Sequence, residues 1–410
     1  MKRNLIQRLV QWRNSPGRKP FLLSGRKGVG KTYLACDFAK SFFEDYLYIN
    51  FETHPDMKER LFHNKSLSLG QSICQYFELP EELLNSVPVI LDEITFCPDL
   101  IRLLAQESGL LNGYYLLLTS YERDLPPELK LSPPVESAVL SGLEFDEFLV
   151  AVGSDWYIDV IRGHYMAGKK VPEIVHAELL GLFNDYLSIG GMPAAVNEYL
   201  SMESDVNVPE QHRLIFNSYY TEIGRRYPEK EALKMHQVYE AAAAQLQKEN
   251  HKFQYRIIRK GATSTLYRDA ITALTEDGYL ICCEKEGEPS QFRLYYPDTG
   301  MLHSLIPSYV REQENTRKAL IENYVMNSLI LHGYCPYFWE SSSLAKIDFL
   351  IRKEGSVIPI EVRPGENTRT KSIEVYRKDH SFPYSIKISQ RNYETGADIR
   401  YIPYYAVFCL

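Results

Sequence analysis

A short glycine-rich segment near the N-terminus contains the residue types that bind phosphate groups. Residues 25–32 read GRKGVGKT, which is a complete Walker A pattern. Three glycines in this loop permit tight turns and leave backbone N–H groups free to surround phosphate oxygens: Gly25, Gly28 and Gly30. Lys31 would place its ammonium group on the β- and γ-phosphates, and the Thr32 hydroxyl would coordinate Mg²⁺. The segment therefore predicts binding of ATP together with Mg²⁺.

Two adjacent acidic residues follow an apolar run further along the chain. Residues 87–93 read VPVILDE, which is typical of a buried strand that ends in Asp92 and Glu93. Because the ends of parallel strands converge on the ligand crevice, we expect both carboxylates to face the glycine loop. Asp92 is placed to hold Mg²⁺, usually through water, and Glu93 to polarise the attacking water. Two acids at a strand end can also cap a helix, but the upstream loop favours the catalytic interpretation.

The residues around these motifs predict the elements that must position them. Apolar runs typical of strands lie at residues 21–24, 46–52 and 114–120. Helical patterns lie at residues 32–43 and 100–107, and strands that alternate with helices indicate a doubly wound α/β domain. The third run ends in Thr119 and Ser120. Ser120 is a catalytic candidate because a hydroxyl there could sense the γ-phosphate or hold the water, although it could equally cap the next helix.

Together these motifs resemble the AAA+-related bacterial and archaeal ATPases that carry a C-terminal domain of unknown function. The resemblance includes SGRKGVGKT, YINFE, LDEI and LLLTS, and it continues into residues 140–149 (LSGLEFDEFL) and 185–195 (DYLSIGGMPAA). The family usually has a Gly-Arg pair before the LEFDEF segment, whereas this chain has Ser141 and Gly142. An arginine from a neighbouring subunit often completes such sites, and the candidates here are Arg123, Arg225 and Arg226.

A helix and two strands in the second half of the chain predict a winged-helix unit, which is also the family's pattern. The helix is predicted over residues 261–277, and the strands over 279–285 and 291–296. In contact with DNA, the helix would enter the major groove with Arg268 towards it. Three further basic residues could then contact phosphates: Arg256, Arg259 and Lys260. The alternative is a module between proteins or domains, which the few basic residues on this helix favour.

The last hundred residues contain a second set of spaced acids. Glu322 lies in a predicted amphipathic helix, Asp348 precedes an apolar run, and Glu361 lies on a predicted strand over residues 357–363. An acid on one strand and acid–x–base on the next resembles the restriction-endonuclease-like core, in which Asp348 and Glu361 would bind Mg²⁺. Position 363 is arginine, which stays protonated and cannot act as a general base. The arginine favours a fold retained for binding or assembly over an active nuclease.

We therefore predict an α/β protein in which a P-loop NTPase with a parallel sheet and a helical lid precedes two smaller domains. The P-loop ATPase core is expected at residues 1–150 and the lid at 151–235. A winged-helix-like domain is expected at 236–305, and a small α/β restriction-endonuclease-like domain at 306–410. A chain of 410 residues has room for two to four such domains.

Composition narrows the class of protein. About 45% of the residues are apolar, which supports well-packed globular domains. The net charge of −7 argues against a general electrostatic affinity for nucleic acid, but it allows a local basic surface. Seven scattered cysteines lack paired metal-ligand spacing and indicate buried thiols in a reducing compartment. No apolar run approaches the roughly 18 residues of a membrane helix, so we expect a cytoplasmic protein with no membrane partner.

Three functions fit these patterns. The first is an ATP-hydrolysing AAA+ molecular switch that acts on a nucleic-acid or protein partner through its C-terminal domains. The second is an ATP-dependent nuclease that uses Asp348, Glu361 and Mg²⁺. The third is a nucleotide-regulated scaffold that binds ATP but barely turns it over. The resemblance allows assembly into a ring, and a monomer or dimer is equally open.

Overall fold

The computed structural model describes residues 1–62, 67–107, 113–126, 135–201, 206–342, 345–366 and 371–410. These residues form two compact units, Lys2–Ser141 and Gly142–Leu410. The first unit covers most of the range predicted for the ATPase core, residues 1–150, and ends at Ser141. The finer division of the remaining chain into lid, winged helix and C-terminal domain stays a prediction.

The first unit is built on a parallel sheet. Its strands are β1 (Phe21–Ser24), β2 (Leu47–Asn50), β3 (Pro88–Asp92), β4 (Tyr114–Thr119) and β5 (Glu136–Val139). Their order across the sheet is β2-β3-β4-β1-β5, and every neighbouring pair is parallel. The predicted α/β fold with a parallel sheet is thereby confirmed. Because β4 lies between β1 and β3, its end is adjacent both to the glycine loop and to the acidic pair.

Helices cover both the sheet and its edges. They are α1 (Ile6–Asn14), α2 (Lys31–Phe42), α3 (Asp56–Phe62), α4 (Leu69–Phe77) and α5 (Pro98–Glu107). Every residue of β3 is buried, as expected for a parallel strand that is covered on both faces. Val89 and Leu91 occupy alternate positions of β3 and therefore share one face of the sheet. Both belong to an apolar core that also contains Ile73 of α4 and Leu100 of α5.

The N-terminal segment forms helix α1, which packs into this unit. Trp12 of α1 is buried, and its indole Nε1 donates a hydrogen bond of 2.7 Å to the Lys19 carbonyl. The Trp12 ring also meets Phe21 of β1 edge to face, with the ring centroids 5.7 Å apart. These contacts fix the position of the chain that enters β1.

The second unit begins with a run of helices, and most of them lie in the range of the predicted helical lid, residues 151–235. They are α6 (Phe145–Ala151), α7 (Trp156–Ala167), α8 (Glu173–Ile189), α9 (Pro193–Tyr199), α10 (Val208–Arg226) and α11 (Glu229–Leu246). Further along the chain lie α12 (Ser264–Glu276), α13 (Thr299–Leu305), α14 (Glu314–Leu331) and α15 (Lys371–Arg377). Glu144 and Glu147 form a reciprocal capping box at the start of α6, which explains two of the acids in LEFDEF.

A mixed sheet occupies the rest of the second unit. Its strands are β6 (Ile281–Lys285), β7 (Glu288–Tyr295), β8 (Tyr337–Glu340), β9 (Lys346–Lys353), β10 (Ser356–Val362), β11 (Ser385–Ser389), β12 (Glu394–Thr395) and β13 (Ile399–Pro403). The order is β12-β13-β11-β10-β9-β8-β6-β7. The predicted hairpin is present as β6 and β7. A parallel contact between Lys285 of β6 and Phe338 of β8 joins this hairpin to the C-terminal strands.

Three chain segments cross closely within the second unit, and two of them are the family-like motifs. The Leu143 N–H donates to the Gly191 carbonyl at 2.6 Å, and the Gly191 N–H donates to Asp298 Oδ2 at 2.6 Å. Asp298 Oδ1 also accepts the Met301 N–H at 2.9 Å and so caps α13. A Cβ atom on Gly191 would lie 2.1 Å from the Leu143 carbonyl oxygen. The second glycine of the GGMP motif is therefore required by backbone packing.

We expect Gly191→Ala to destabilise the second unit by about 3 kcal/mol or more, because backbone atoms would have to move apart. Gly181 in α8 is a matched control, since a Cβ there meets nothing within 4 Å. Gly181→Ala should stabilise the same helix by about 0.5–1 kcal/mol. Urea unfolding monitored by circular dichroism measures both changes. Equal midpoints for the two variants would show that the crossing does not constrain position 191.

Two further predictions can be compared with the structure. Among the described residues, no helix has the length and apolar character needed to cross a membrane. All seven cysteines are free thiols, as their scattered positions predict, but only Cys74, Cys97 and Cys283 are buried and Cys335 is exposed.

Candidate functional site

The glycine loop connects β1 to α2 in a conformation that only glycine adopts readily. Gly25, Gly28 and Gly30 have φ angles of 151°, 87° and 96°. A Cβ atom on Gly25 would lie 2.2 Å from the Leu140 carbonyl oxygen, so a side chain cannot be accommodated there. Helix α2 begins at Lys31, and its first N–H groups and positive end therefore point into the loop. This geometry can cradle phosphate groups.

Lys31 reaches back across the loop. Its Nζ donates to the carbonyl oxygens of Gly25 and Arg26 at 2.8 and 3.2 Å, and to Ser120 Oγ at 2.7 Å. It also lies 3.8 Å from Glu93 Oε1. The side chain is only 5% exposed, and burial lowers the pKa of its ammonium group. A phosphate oxygen would replace neutral carbonyl partners with a charged one, which favours anion binding at this position.

Asp92 and Thr32 lie together at the start of α2. Thr32 Oγ1 donates to Asp92 Oδ2 at 2.7 Å, and Tyr48 OH donates to the same oxygen at 2.8 Å. Asn50 Nδ2 is 3.4 Å from Asp92 Oδ2, and the Glu93 N–H donates to Oδ1 at 2.9 Å. A hydroxyl beside a carboxylate is a hard oxygen donor set, so these residues fit Mg²⁺ carried by a nucleotide. Thr32 and Asp92 are the residues that would hold it.

Glu93 turns out of β3 in a left-handed conformation, with φ at 52°. Such a conformation is uncommon for a residue with a side chain and is found most often at functional sites. The Ser120 N–H donates to Glu93 Oε2 at 2.9 Å, and the Ser120 hydroxyl donates to Oε1. Burial raises the pKa of this carboxyl, while Lys31 and the two bonds from Ser120 act in the opposite direction. The carboxylate is therefore held, partly desolvated, beside the phosphate loop.

The structure thus brings the five predicted side chains of the first unit into one connected network. Lys31 and Thr32 enter it from the loop, Asp92 and Glu93 from β3, and Ser120 from the end of β4. The network contains an anion-binding ammonium, oxygen donors for a divalent cation and a carboxylate with a raised pKa. Those groups are the ones that phosphoryl transfer to water requires.

Three residues of this region were not identified from the sequence. Tyr48 and Asn50 contact Asp92 because β2 pairs with β3 in a register that places Asn50 beside it. Arg3 precedes α1, and its guanidinium donates to the Val29 carbonyl in the loop at 3.0 Å and to the Ser141 carbonyl at 2.7 Å. The alternation of Tyr48 and Asn50 on one face of β2 was a usable signal, whereas nothing local marks Arg3.

The two predicted metal ligands of the C-terminal region lie on adjacent antiparallel strands, β9 and β10. Asp348 Oδ2 accepts the Val362 N–H at 2.8 Å, and its Oδ1 lies 3.3 Å from Lys318 Nζ. Lys318 Nζ is also 3.0 Å from Glu322 Oε1. The carboxylates of Asp348 and Glu322 are thus bridged by an ammonium group.

Glu361 is neutralised in a similar way. Its Oε2 lies 3.2 Å from Lys387 Nζ, and its Oε1 lies 3.4 Å from an Arg363 Nη2. Lys387 is directly opposite Glu361 in the parallel pair of β10 and β11. Position 363 is arginine, and the lysine that contacts Glu361 is instead Lys387 on the neighbouring strand β11. Burial raises the pKa of Glu361 and lowers that of Lys387.

These contacts bear on the predicted C-terminal metal site. Lysine ammonium groups provide the counter-charge that a metal ion would otherwise supply. Within the described ranges, no three His, Cys, Asp or Glu side chains are grouped so that they could hold a metal ion. Asp348 and Glu361, each paired with a lysine, therefore do not fit a metal centre.

The basic residues predicted to contact DNA lie on or before α12. Arg268 and Lys260 are exposed, while Arg259 Nε donates to Tyr267 OH at 3.0 Å. Three arginines are candidates to complete the nucleotide site of a neighbouring subunit. One of them, Arg226, forms an ion pair with the buried carboxylate of Asp277 at 3.0 Å. That ion pair gives Arg226 a structural partner in its own unit. Two other candidates are exposed: Arg123 and Arg225.

Three protein-family models match successive parts of the chain. Residues 17–149 match an AAA domain, residues 180–314 a domain of unknown function, DUF8612, and residues 317–407 another, DUF4143. The predicted combination of an AAA domain with a C-terminal domain of unknown function is thereby confirmed. The restriction-endonuclease-like and winged-helix assignments stay predictions.

Comparison with other proteins adds little to these matches. No curated protein matches the chain. The Aeropyrum pernix ORC1 protein in complex with DNA aligns at 15% identity and a TM-score of 0.30, over 73% of this chain and 90% of that one. C. elegans PCH-2 aligns at 15% identity and a TM-score of 0.29, over 53% of this chain and 66% of that one. Drosophila ORC bound to DNA aligns at 17% identity and a TM-score of 0.26, over 70% of this chain and 90% of that one. These scores are too low to carry any argument.

Proposed function

We propose that the first unit binds ATP with Mg²⁺ and hydrolyses it, and that the cycle acts as a molecular switch. The observation that carries this proposal is the network in which Ser120 contacts both Lys31 and Glu93. One hydroxyl thereby contacts both a phosphate-binding cation and a buried carboxylate, which lie 3.8 Å apart. A site that only bound nucleotide would have no need for the second of these groups.

Each side chain has a separate task in the proposed reaction. Lys31 offsets negative charge on the β- and γ-phosphates, and the loop N–H groups orient them. Glu93 accepts a hydrogen bond from the attacking water and polarises it, which its raised pKa favours. Ser120 fixes the Glu93 carboxylate and is near enough to contact the γ-phosphate. Mg²⁺ held by Thr32 and Asp92 would neutralise charge on the phosphate oxygens.

The partner is proposed to be a nucleic acid or a protein that the C-terminal domains contact in the cytoplasm. Phosphate release measured with and without added DNA separates the two. Stimulation by DNA identifies a nucleic-acid partner, and an unchanged rate favours a protein. Either result is compatible with assembly into an oligomer, with Arg123 or Arg225 available as a finger.

We do not propose metal-dependent cleavage as the main function, because Lys318 and Lys387 pair with the carboxylates concerned. The ion-paired C-terminal core instead supports a binding or assembly role. The scaffold hypothesis differs from the switch only in turnover, so it is tested by removal of the proposed base.

We expect Ser120→Ala to reduce ATP turnover by about tenfold, because the Glu93 carboxylate loses one of the hydrogen bonds that hold it. Both bonds from Ser120 lower the pKa of Glu93, so their partial loss raises that pKa. Glu93 works deprotonated, and the acid limb of the pH–rate profile should therefore move to higher pH. Ser120→Thr retains a hydroxyl, so the acid limb of its pH–rate profile should lie at the same pH as in the wild type. An acid limb that is identical in the alanine variant and wild type would contradict the assigned contact.

A further inference from the structure

A cavity of about 530 Å³ lies in the second unit, and its lining includes no residue of the proposed nucleotide site. It is bounded by the ends of α8 and α13 and by the first turns of α10. Its lining residues fall between positions 185 and 311, entirely inside the part of the chain that matches DUF8612. The volume is within the range of about 300–1,000 Å³ that is typical of small-molecule sites.

Arg311 gives the cavity a cation. Its Nε donates to the Ile306 carbonyl at 3.0 Å, which fixes the plane of the guanidinium group. No hydrogen-bond or ion-pair partner for its two terminal nitrogens is found in the part of the chain that the structure describes. A guanidinium held at one nitrogen presents its remaining N–H groups as a fork, which matches the two oxygens of a carboxylate or phosphate.

Two histidines extend the polar side of the cavity. His212 is buried, and its Nε2 donates to the Ile189 carbonyl at 2.8 Å, which leaves Nδ1 for another partner. Burial, followed by the nearby Arg311 and His212, lowers the pKa of His303 to about 4. His303 is therefore neutral at physiological pH and can donate or accept one hydrogen bond. Arg311 thus carries the charge, and His303 adds a neutral hydrogen-bonding group.

Two further charged residues line the same cavity, Arg213 and Asp185, and each already has a hydrogen-bond partner. Arg213 Nη2 lies 2.5 Å from Glu210 Oε1, in an exposed pair. Asp185 is the one carboxylate among the described lining residues, and it is exposed and within 3.4 Å of Tyr199 OH. Within this described lining, Arg311 is left as the cation without a counter-ion. An anionic ligand would supply that counter-ion.

Part of the cavity wall is apolar and includes Val208, Phe216 and Leu305. An inorganic anion would leave this wall in contact with water, whereas a ligand with an apolar body would cover it. We propose that the cavity binds a small organic anion. Its carboxylate or phosphate group contacts Arg311, and its compact apolar body packs against Phe216 and Leu305.

Ligand-detected NMR titrations of the full chain test this site with phenyl phosphate, benzoate, inorganic phosphate and phenol. The protein carries Lys31→Ala in every titration, so that phosphate probes do not occupy the glycine loop. At least one of the two aromatic anions should bind saturably and more tightly than phosphate or phenol. Tighter binding of benzoate would identify a carboxylate as the head group of the ligand, and tighter binding of phenyl phosphate would identify a phosphate.

In the same background, Arg311→Met should weaken the better probe by about tenfold or more, the usual effect of losing a charge-assisted contact. Arg311→Lys keeps the charge without the fork and should give an intermediate affinity. Arg268→Met removes an exposed arginine from α12 and should change nothing. Absence of saturable binding, or equal affinities for the parent protein and both Arg311 variants, would overturn the proposal. Neither outcome depends on whether the first unit hydrolyses ATP.

Discussion

Replacement of Lys31 by alanine should lower the affinity for ATP by about a hundredfold or more, because its buried ammonium group would contact two phosphates in the proposed complex. In the structure this ammonium is held against the loop by carbonyl oxygens and Ser120, already at the position where phosphates would lie. Fluorescence titration with a labelled ATP analogue measures the change.

Lys27 is the matched control for this variant. It lies in the same loop but is paired with Glu52 at 2.7 Å on the exposed side, where ion pairs contribute little. Lys27→Ala should therefore change ATP affinity by less than about fivefold. Thermal unfolding of both variants checks that the loop is intact. Unchanged affinity in Lys31→Ala would remove ATP binding at this loop from the account.

Replacement of Glu93 by glutamine should reduce ATP turnover by about 10²–10⁴-fold, the contribution usual for a positioned general base. The amide retains the shape of the carboxylate and can still contact Ser120, so ATP affinity should stay within about threefold of wild type. The change is therefore expected in kcat and not in nucleotide binding. Phosphate release and analogue binding, measured on the same preparation, separate the two quantities.

Glu122 provides the control for this substitution. It is exposed in the turn after Ser120, and its Oε2 accepts a hydrogen bond of 2.7 Å from Ser24 Oγ. Glu122→Gln removes a carboxylate near the loop without touching the network around Glu93, and it should leave kcat nearly unchanged. Wild-type turnover in Glu93→Gln would support the scaffold hypothesis or a different base.

The parts of this site that could be predicted from the sequence are those formed by residues that are neighbours along the chain. The loop from Gly25 to Thr32 has a conformation set by its own glycines, and Asp92 and Glu93 follow an apolar strand directly. Ser120 was identified because it ends a strand, although its contact with both Lys31 and Glu93 depends on β4 lying between β1 and β3. That order is a property of the folded sheet.

Contacts between distant segments could not be predicted. Arg3 and Val29 are brought together by the packing of α1, and Lys387 reaches Glu361 through pairing of β11 with β10. The sequence shows that position 363 is not lysine. The alternation of residues within β10 cannot show that the neighbouring strand β11 places Lys387 beside Glu361. The GGMP motif was recognised by resemblance, and its physical reason, the close approach of Gly191 to Leu143, appeared only in the structure.

Phosphate release at saturating ATP and Mg²⁺ is the decisive measurement for ATP hydrolysis, with Lys31→Ala protein purified in parallel as the blank. We expect sustained turnover by the wild-type chain, at least about tenfold above the blank, because Glu93 and Ser120 are held beside the phosphate loop. If the partner is required for full activity, the wild-type rate rises further on its addition. Equal phosphate release from wild type and Lys31→Ala would contradict the proposal that this unit is an ATPase.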